Sequence, residues 1–188
     1  MAKTLYLMRH GETLFNALGK IQGWCDSPLT KTGIQQAKVA GEYLDKLPID
    51  HAYSSTSERS CDTIEIALKN RMPYQRLKGL KEMNFGVYEG ESEKLNPTIL
   101  KDYETFFLPF GGESSKAVGK RMLETLTDIM DKPDHQNVLA VSHAGACVNF
   151  LEMLQDPTDV LKSGFSNCSI FKFTYDQRKF KLVDVIRF

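Results

Sequence analysis

The chain predicts an α/β fold whose sheet is mainly parallel, with an antiparallel pair at one edge. Three features of the sequence point that way. Two short apolar runs, Thr4–Met8 and Asn137–Val141, read as buried strands. Stretches with apolar residues at helical spacing alternate with extended ones along the chain. The tail holds two β-rich runs, SIFKFTY and KFKLVDVI, hinged around Asp176 and Gln177, which is a hairpin signature.

Taken in order, Thr4–Met8 ends abruptly in the polar RHGET. From Thr32, a stripe of Ile34, Ala37, Gly41, Leu44 and Leu47 predicts a helix that Pro48 stops. A short extended piece at His51–Tyr53 runs into SSTSERS, which caps a second helix through Ile64 and Leu68. Residues 91–112 have mixed composition, with Pro97, Pro109 and the aromatics Tyr103, Phe106, Phe107 and Phe110. We expect a variable lid there, its aromatics belonging to the core more readily than to a pocket wall. GGES then opens a long helix whose Val118, Met122, Leu126 and Ile129 keep one face apolar. Asn137–Val141 ends in SHAG, and a helix through Phe150 and Leu154 follows. Nothing divides the chain, so residues 1–188 are expected to form a single domain.

Composition narrows the function classes. Hydrophobic residues are 41% and charged residues 26%, as in ordinary folded domains. Lys plus Arg is 24 and Asp plus Glu is 24, so no overall field draws the chain to nucleic acid or an anionic membrane. Any anion must be held by a local cluster. Cys25, Cys61, Cys147 and Cys168 are scattered, without metal-site spacing, and suit free thiols in a reducing compartment. The first strand begins almost at Met1 and no apolar run is long enough to span a bilayer, so a cytoplasmic location is expected. The tail hairpin offers an edge for pairing, and either a monomer or a homodimer is expected.

Against this background RHGET is odd. Adjacent Arg9 and His10 make poor packing where water is scarce, so something negative is expected beside them. Both RHG and SHAG leave strands at the carboxyl end, where ligands of such sheets bind. A phosphoryl group, with its multiple charges and acceptor oxygens, suits guanidinium forks, and Arg9 and Arg59 supply two. The turn His143-Ala144-Gly145 offers a helix N-terminus, and Asn16 and Gln22 offer neutral donors. No serine or cysteine sits in a nucleophile motif, which leaves a neutral His10 to attack phosphorus. A carboxylic acid would protonate the leaving oxygen; Glu82 is preferred, with Glu65, Glu89 and Glu91 as alternatives. His51 and His135 fit no motif and read as structural or surface residues, and no H-E-x-x-H pattern calls for a metal.

LYLMRHGETLFNALGKIQGWCDSPLTKTG closely resembles the opening of the histidine phosphatase superfamily, in its phosphoglycerate-mutase-like branch. The resemblance continues through SSTSERS, LKEMNFGVYEG, GGES and VSHAG, in the family's order. It implies a three-layer α/β/α sandwich that needs neither metal nor cofactor. It implies His10 as the phosphorylated nucleophile, Arg9, Arg59 and His143 as the pocket neutralising the transferred group, and Glu82 as proton donor. Asn16, Gln22 and Gly23 are implied to line the phosphate site. Two positions depart from the pattern: Ala144 stands where glycine usually follows the second histidine, and Asp62 where glutamine is common.

The substrate class expected is a small phosphomonoester, and the reaction its hydrolysis. A mutase must exclude water and hold a substrate carboxylate, ideally on arginine. Between Arg76 and Arg121 the chain has no arginine, although Lys94 and Lys101 remain candidates for that task. A phosphoester-binding module without activity would lack one of Arg9, His10, Arg59, Glu82 and His143, and all are present.

Overall fold

The computed structural model describes residues 2–188. Its strands are β1 (Lys3–Arg9), β2 (His51–Ser55), β3 (Gln75–Leu77), β4 (Asn137–Ser142), β5 (Ile170–Asp176) and β6 (Lys179–Ile186). Its helices are α1 (Leu14–Ala17), α2 (Lys31–Leu44), α3 (Glu58–Leu68), α4 (Ser115–Met130), α5 (Ala144–Glu152) and α6 (Thr158–Lys162). The strands form one sheet in the order β3-β2-β4-β1-β5-β6. β3, β2, β4 and β1 run parallel, while β5 is antiparallel to both β1 and β6, so the tail hairpin forms the expected edge.

Strand alternation builds the three layers. Leu5, Leu7, Val138 and Ala140 face one side and pack with Val118, Met122 and Leu126 of α4 and Phe150 of α5. Tyr6, Met8, Leu139 and Val141 face the other and pack with Ala37 and Leu44 of α2 and Ile64 and Ala67 of α3. The central strands are thus covered on both faces, which is why they are continuously apolar. Burying a large side chain of this kind is worth roughly 1.5–3 kcal/mol, so these two layers carry the stability.

The differences from expectation have local causes. α2 starts at Lys31 because the Thr30 hydroxyl accepts the Gly33 N–H, and it ends at Leu44, short of Pro48. Ile34, assigned to its buried stripe, is 36% exposed. β3 is held by backbone pairing to Tyr53–Ser55 and exposes Gln75 and Arg76, leaving no apolar pattern to read. The very short α1 and α6 likewise have no buried residue. The 91–112 segment is a chain of tight turns at Glu93–Leu95, Leu100–Glu104 and Leu108–Phe110. Phe107 is fully buried in the core, its ring edge-on to Phe85 at 4.9 Å and to Phe106 at 4.9 Å. Tyr103 instead reaches the cavity described below, so this one aromatic belongs to the wall. All four cysteines are free. Among the described residues no helix is long and apolar enough to cross a membrane.

Candidate active site

Register explains how residues distant in sequence meet. β1 and β4 are neighbours, with Arg9 opposite Ser142, so the residues that follow, His10 and His143, emerge side by side. The His10 N–H donates to the Ser142 carbonyl (3.0 Å), and the two rings lie 5.2 Å apart at 63°. β1 leads towards α2 on one face and β4 into α5 on the other, which opens a crevice between the strand ends.

The contacts of His10 fix its tautomer. Nδ1 lies 2.7 Å from the Gly11 carbonyl, which can only accept, so Nδ1 carries the proton. Nε2 accepts from Arg59 Nε at 3.3 Å and therefore holds a lone pair. Burial, then Arg59 and Arg9, push the His10 pKa well below 6.5. The ring is neutral at physiological pH, with its lone pair on Nε2.

Arg59 is fully buried behind that ring. Nη1 donates to the Cys25 carbonyl (2.9 Å) and to Asp26 (2.9 Å), and Nη2 to the Gly23 carbonyl (2.8 Å). With Nε on His10, one N–H on Nη2 is left from the five a guanidinium owns. Arg59 thus ties the QGWCD loop to the His10 ring. Asp26, its ion-pair partner, was not singled out in the sequence, although it lies within the DSPLT stretch. Arg9 donates Nη1 to the Phe165 carbonyl (2.8 Å), and its Nε is buried without a partner.

His143 is the N-cap residue of α5 and is fully buried. Its Nε2 is 2.8 Å from Ser55 Oγ and 3.4 Å from Ser60 Oγ, while its Nδ1 is buried and unpartnered. Both serines lie in SSTSERS, so that motif orients His143 as well as supplying Arg59. Burial, followed by Arg59 and His10, lowers the His143 pKa well below 6.5. Thr63 completes the support: its hydroxyl accepts the Gly11 N–H (3.0 Å) and donates to the Arg59 carbonyl (2.7 Å). Asp62 borders a separate groove beside Glu65 and Lys69.

Glu82 sits under the first turn of α5. Its Oε1 accepts the N–H groups of Met83 (2.9 Å) and Ala146 (2.7 Å), and its Oε2 that of Gly145 (2.9 Å). The helix end that the sequence offered to an external anion is therefore filled, at these two amides, by a carboxylate of the chain itself. A Cβ on Gly145 would lie 2.7 Å from Glu82 Oε1, so glycine permits this approach. Burial raises the Glu82 pKa, and the Met83 and Gly145 amides hold the rise back. Ala144 has ordinary helical backbone and adds a methyl to the cavity wall without strain.

The alternatives to Glu82 have other work. Glu89 accepts N–H groups from Gly23 (3.0 Å), Trp24 (2.8 Å), Cys25 (3.0 Å) and Phe85 (3.1 Å). Burial pushes its pKa up, but hydrogen bonds from the Cys25 thiol and the Trp24, Cys25 and Phe85 amides outweigh that and hold it below 4.5. It is an ionised clamp on the loop. Glu65 accepts from Tyr74, and Glu91 is exposed.

Gly23, implied by the family resemblance to line the phosphate site, has both backbone polar groups engaged within the protein. Its N–H is held by Glu89, its carbonyl by Arg59, and it does not border the cavity. A Cβ there would lie 2.2 Å from the Met83 carbonyl, so the glycine serves close packing. Asn16 and Gln22 do border the cavity. Asn16 accepts from the Thr13 N–H (3.2 Å) and Asn167 (3.3 Å), which leaves its amide hydrogens to give. Asn167 also binds the His10 carbonyl (3.0 Å), a support that no motif announced.

The cavity has a volume of about 320 Å³, at the small end of ligand sites. Arg9, His10 and Glu82 border it, together with Lys20, Glu93, Asn96, Tyr103, Asn149 and Glu152, whereas Arg59 and His143 are fully buried behind the wall and do not line it. Lys94 and Lys101 are exposed and do not border it; Lys20 is the lysine that does.

Comparison with known proteins shows what the chain resembles. Residues 5–186 match the family model of the histidine phosphatase superfamily (branch 1). A Yersinia pestis protein described as "Probable phosphoglycerate mutase GpmB" is 33% identical over 184 residues, covering 92% of this chain and 85% of its own. The crystal structure of phosphoglycerate mutase from Bacillus anthracis superposes with a TM-score of 0.84 at 27% identity, covering 97% of this chain and 92% of that one. Phosphoserine phosphatase from Entamoeba histolytica, in complex with 3-phosphoglyceric acid, gives a TM-score of 0.80 at 30% identity over 98% of this chain and 97% of that one. The chain belongs to the histidine phosphatase superfamily.

Proposed function

We propose that the protein is a phosphomonoesterase that hydrolyses a small phosphorylated metabolite through a phosphohistidine on His10. The observation that carries this reading is the tautomer: the Gly11 carbonyl holds the Nδ1 proton and puts the lone pair on Nε2, which gives up its long contact with Arg59 Nε (3.3 Å) to attack phosphorus. Arg9 Nε and His143 Nδ1 are buried polar atoms without partners, at a cost of about 1–3 kcal/mol each, and phosphoryl oxygens would satisfy them.

In the first step His10 Nε2 bonds to phosphorus and the ester P–O bond breaks. Protonated Glu82 gives its proton to the departing oxygen. In the second, Glu82 as carboxylate takes a proton from water, the oxygen bonds to phosphorus, the N–P bond breaks and inorganic phosphate leaves. Arg9, Arg59 and His143 hold the developing charge throughout, a task that needs no metal ion.

Phosphoglycerate mutase is the second reading, supported by the names of the Yersinia and Bacillus relatives. The cavity wall favours hydrolysis. Lys20 faces a cavity also bordered by Glu93 and Glu152, which disfavour a substrate carboxylate. The test is release of phosphate from an aryl phosphate in the presence of a chelator, beside an assay of 3-phosphoglycerate. Chelator-resistant hydrolysis is expected; interconversion with 2-phosphoglycerate faster than phosphate release overturns the reading.

A further inference from the structure

A second histidine pair lies at the opposite end of the sheet, where β2 and β4 begin. His51 opens β2, and Asp134 and His135 sit in the turn before β4. His51 Nε2 is 3.4 Å from one oxygen of Asp134, and His135 Nδ1 is 2.8 Å from the other. We propose that His51 Nε2, His135 Nδ1 and the Asp134 carboxylate bind one divalent cation of borderline softness, of the zinc or nickel kind.

The three ligand atoms all lie within 4.8 Å of one another. In a tetrahedral site with bonds of about 2.1 Å, neighbouring ligand atoms stand roughly 3.4 Å apart, which is the separation of His51 Nε2 from Asp134 Oδ2; His135 Nδ1 is hydrogen-bonded to Asp134 Oδ1 and would exchange that proton for the ion. Two imidazoles and one carboxylate, with a water in the fourth position, suit zinc or nickel better than calcium or magnesium.

The surroundings are those of a built site. The other nitrogen of each imidazole is occupied: His51 Nδ1 meets Asp50 Oδ1 at 2.8 Å, and His135 Nε2 meets the Tyr53 hydroxyl at 2.7 Å. Such partners orient ligating histidines and set which nitrogen faces the metal. Asp50 is itself fixed, since its Oδ2 accepts the Gln136 (3.0 Å) and Asn137 (2.6 Å) N–H groups. Asp50 and Asp134 outweigh Lys132, whose ammonium donates to the Tyr53 hydroxyl (2.8 Å).

One adjustment is required. The rings are stacked at 3.6 Å with an 11° tilt, and parallel planes cannot both aim a lone pair at one ion. His51, whose side chain is 33% exposed, has room to turn out of the stack, whereas His135 is buried against Tyr53. Binding should therefore splay the pair.

The experiment uses the full chain, stripped with chelator and labelled with nitrogen-15, titrated with ZnCl2 while the imidazole nitrogen signals are followed. The signals of His51 and His135 should move together and saturate at one equivalent. Calorimetry with zinc should show at least a tenfold loss of affinity in His51→Gln and in Asp134→Asn, the order expected of altered metal sites, with aryl phosphate hydrolysis unchanged in both. Zinc uptake that leaves the His51 and His135 signals unmoved, or equal affinity in wild type and both variants, overturns the assignment.

Discussion

The two histidine pairs at opposite ends of the sheet are a natural experiment in what neighbours do to an imidazole. His10 and His143 meet edge-on at 5.2 Å, buried, with arginines behind them. His51 and His135 stack at 3.6 Å beside Asp50 and Asp134, His51 in reach of water and His135 buried beneath it. The first pair is kept neutral by burial and positive charge and is suited to anions. The second is ringed by carboxylates and is suited to cations. The residue type is the same, and the charge of the neighbours decides the chemistry.

The comparison breaks first at His10. Substituting His10→Ala should lower hydrolysis by roughly 10⁴-fold or more, as loss of a nucleophile does, while the circular dichroism spectrum stays that of the wild type. Substantial residual turnover would remove the covalent step. Next comes Glu82→Gln, which should slow alkyl phosphates by about 10²–10³-fold and aryl phosphates far less, because good leaving groups need no proton. The three amides that Glu82 accepts make this variant structurally costly as well. An amide group turned toward one of them should lower unfolding stability by about 1–3 kcal/mol in denaturant melts. Equal rate losses on both ester types would make Glu82 a positioning residue.

Acid should separate the two ends more gently. His10 and His143 have pKa values well below 6.5 when folded, so below that pH the unfolded chain binds protons that the folded chain refuses. Stability should fall as pH drops through this region, by at most about 1.4 kcal/mol per pH unit for each histidine, and be flat in this respect above it. Thermal melts at a series of pH values should show this fall, shallower in His10→Ala. The smallest expected effect is none: Asp134→Asn should leave kcat/KM untouched, since it lies at the far end of the sheet.

Much of this was legible in the sequence where burial imposes a period. Thr4–Met8, Asn137–Val141, the α4 stripe and the tail hairpin are written in apolar residues. β3 was not, because Gln75 and Arg76 pair through backbone alone. In the site, motif order named Arg9, His10, Arg59, Glu82 and His143, and the fold places His10 and Arg59 in contact, with His143 beside them. What the sequence could not convey is which groups the chain spends on itself. Glu89 reads as a spare acid but accepts four backbone N–H groups. Gly23 reads as a phosphate contact but is consumed between Glu89 and Arg59. His51 and His135 read as separate structural or surface residues because the pairing of β2 with β4, which joins them, is a long-range event.

Everything proposed for the site turns on a bond between His10 Nε2 and phosphorus. Its most direct test is to quench the enzyme in mid-turnover at alkaline pH, where phosphohistidine survives, and to map the phosphoryl group by peptide mass spectrometry. An acid-labile phosphoryl adduct is expected on the peptide carrying His10, absent when substrate is omitted. A protein that turns over under the same conditions with that peptide unmodified would contradict it.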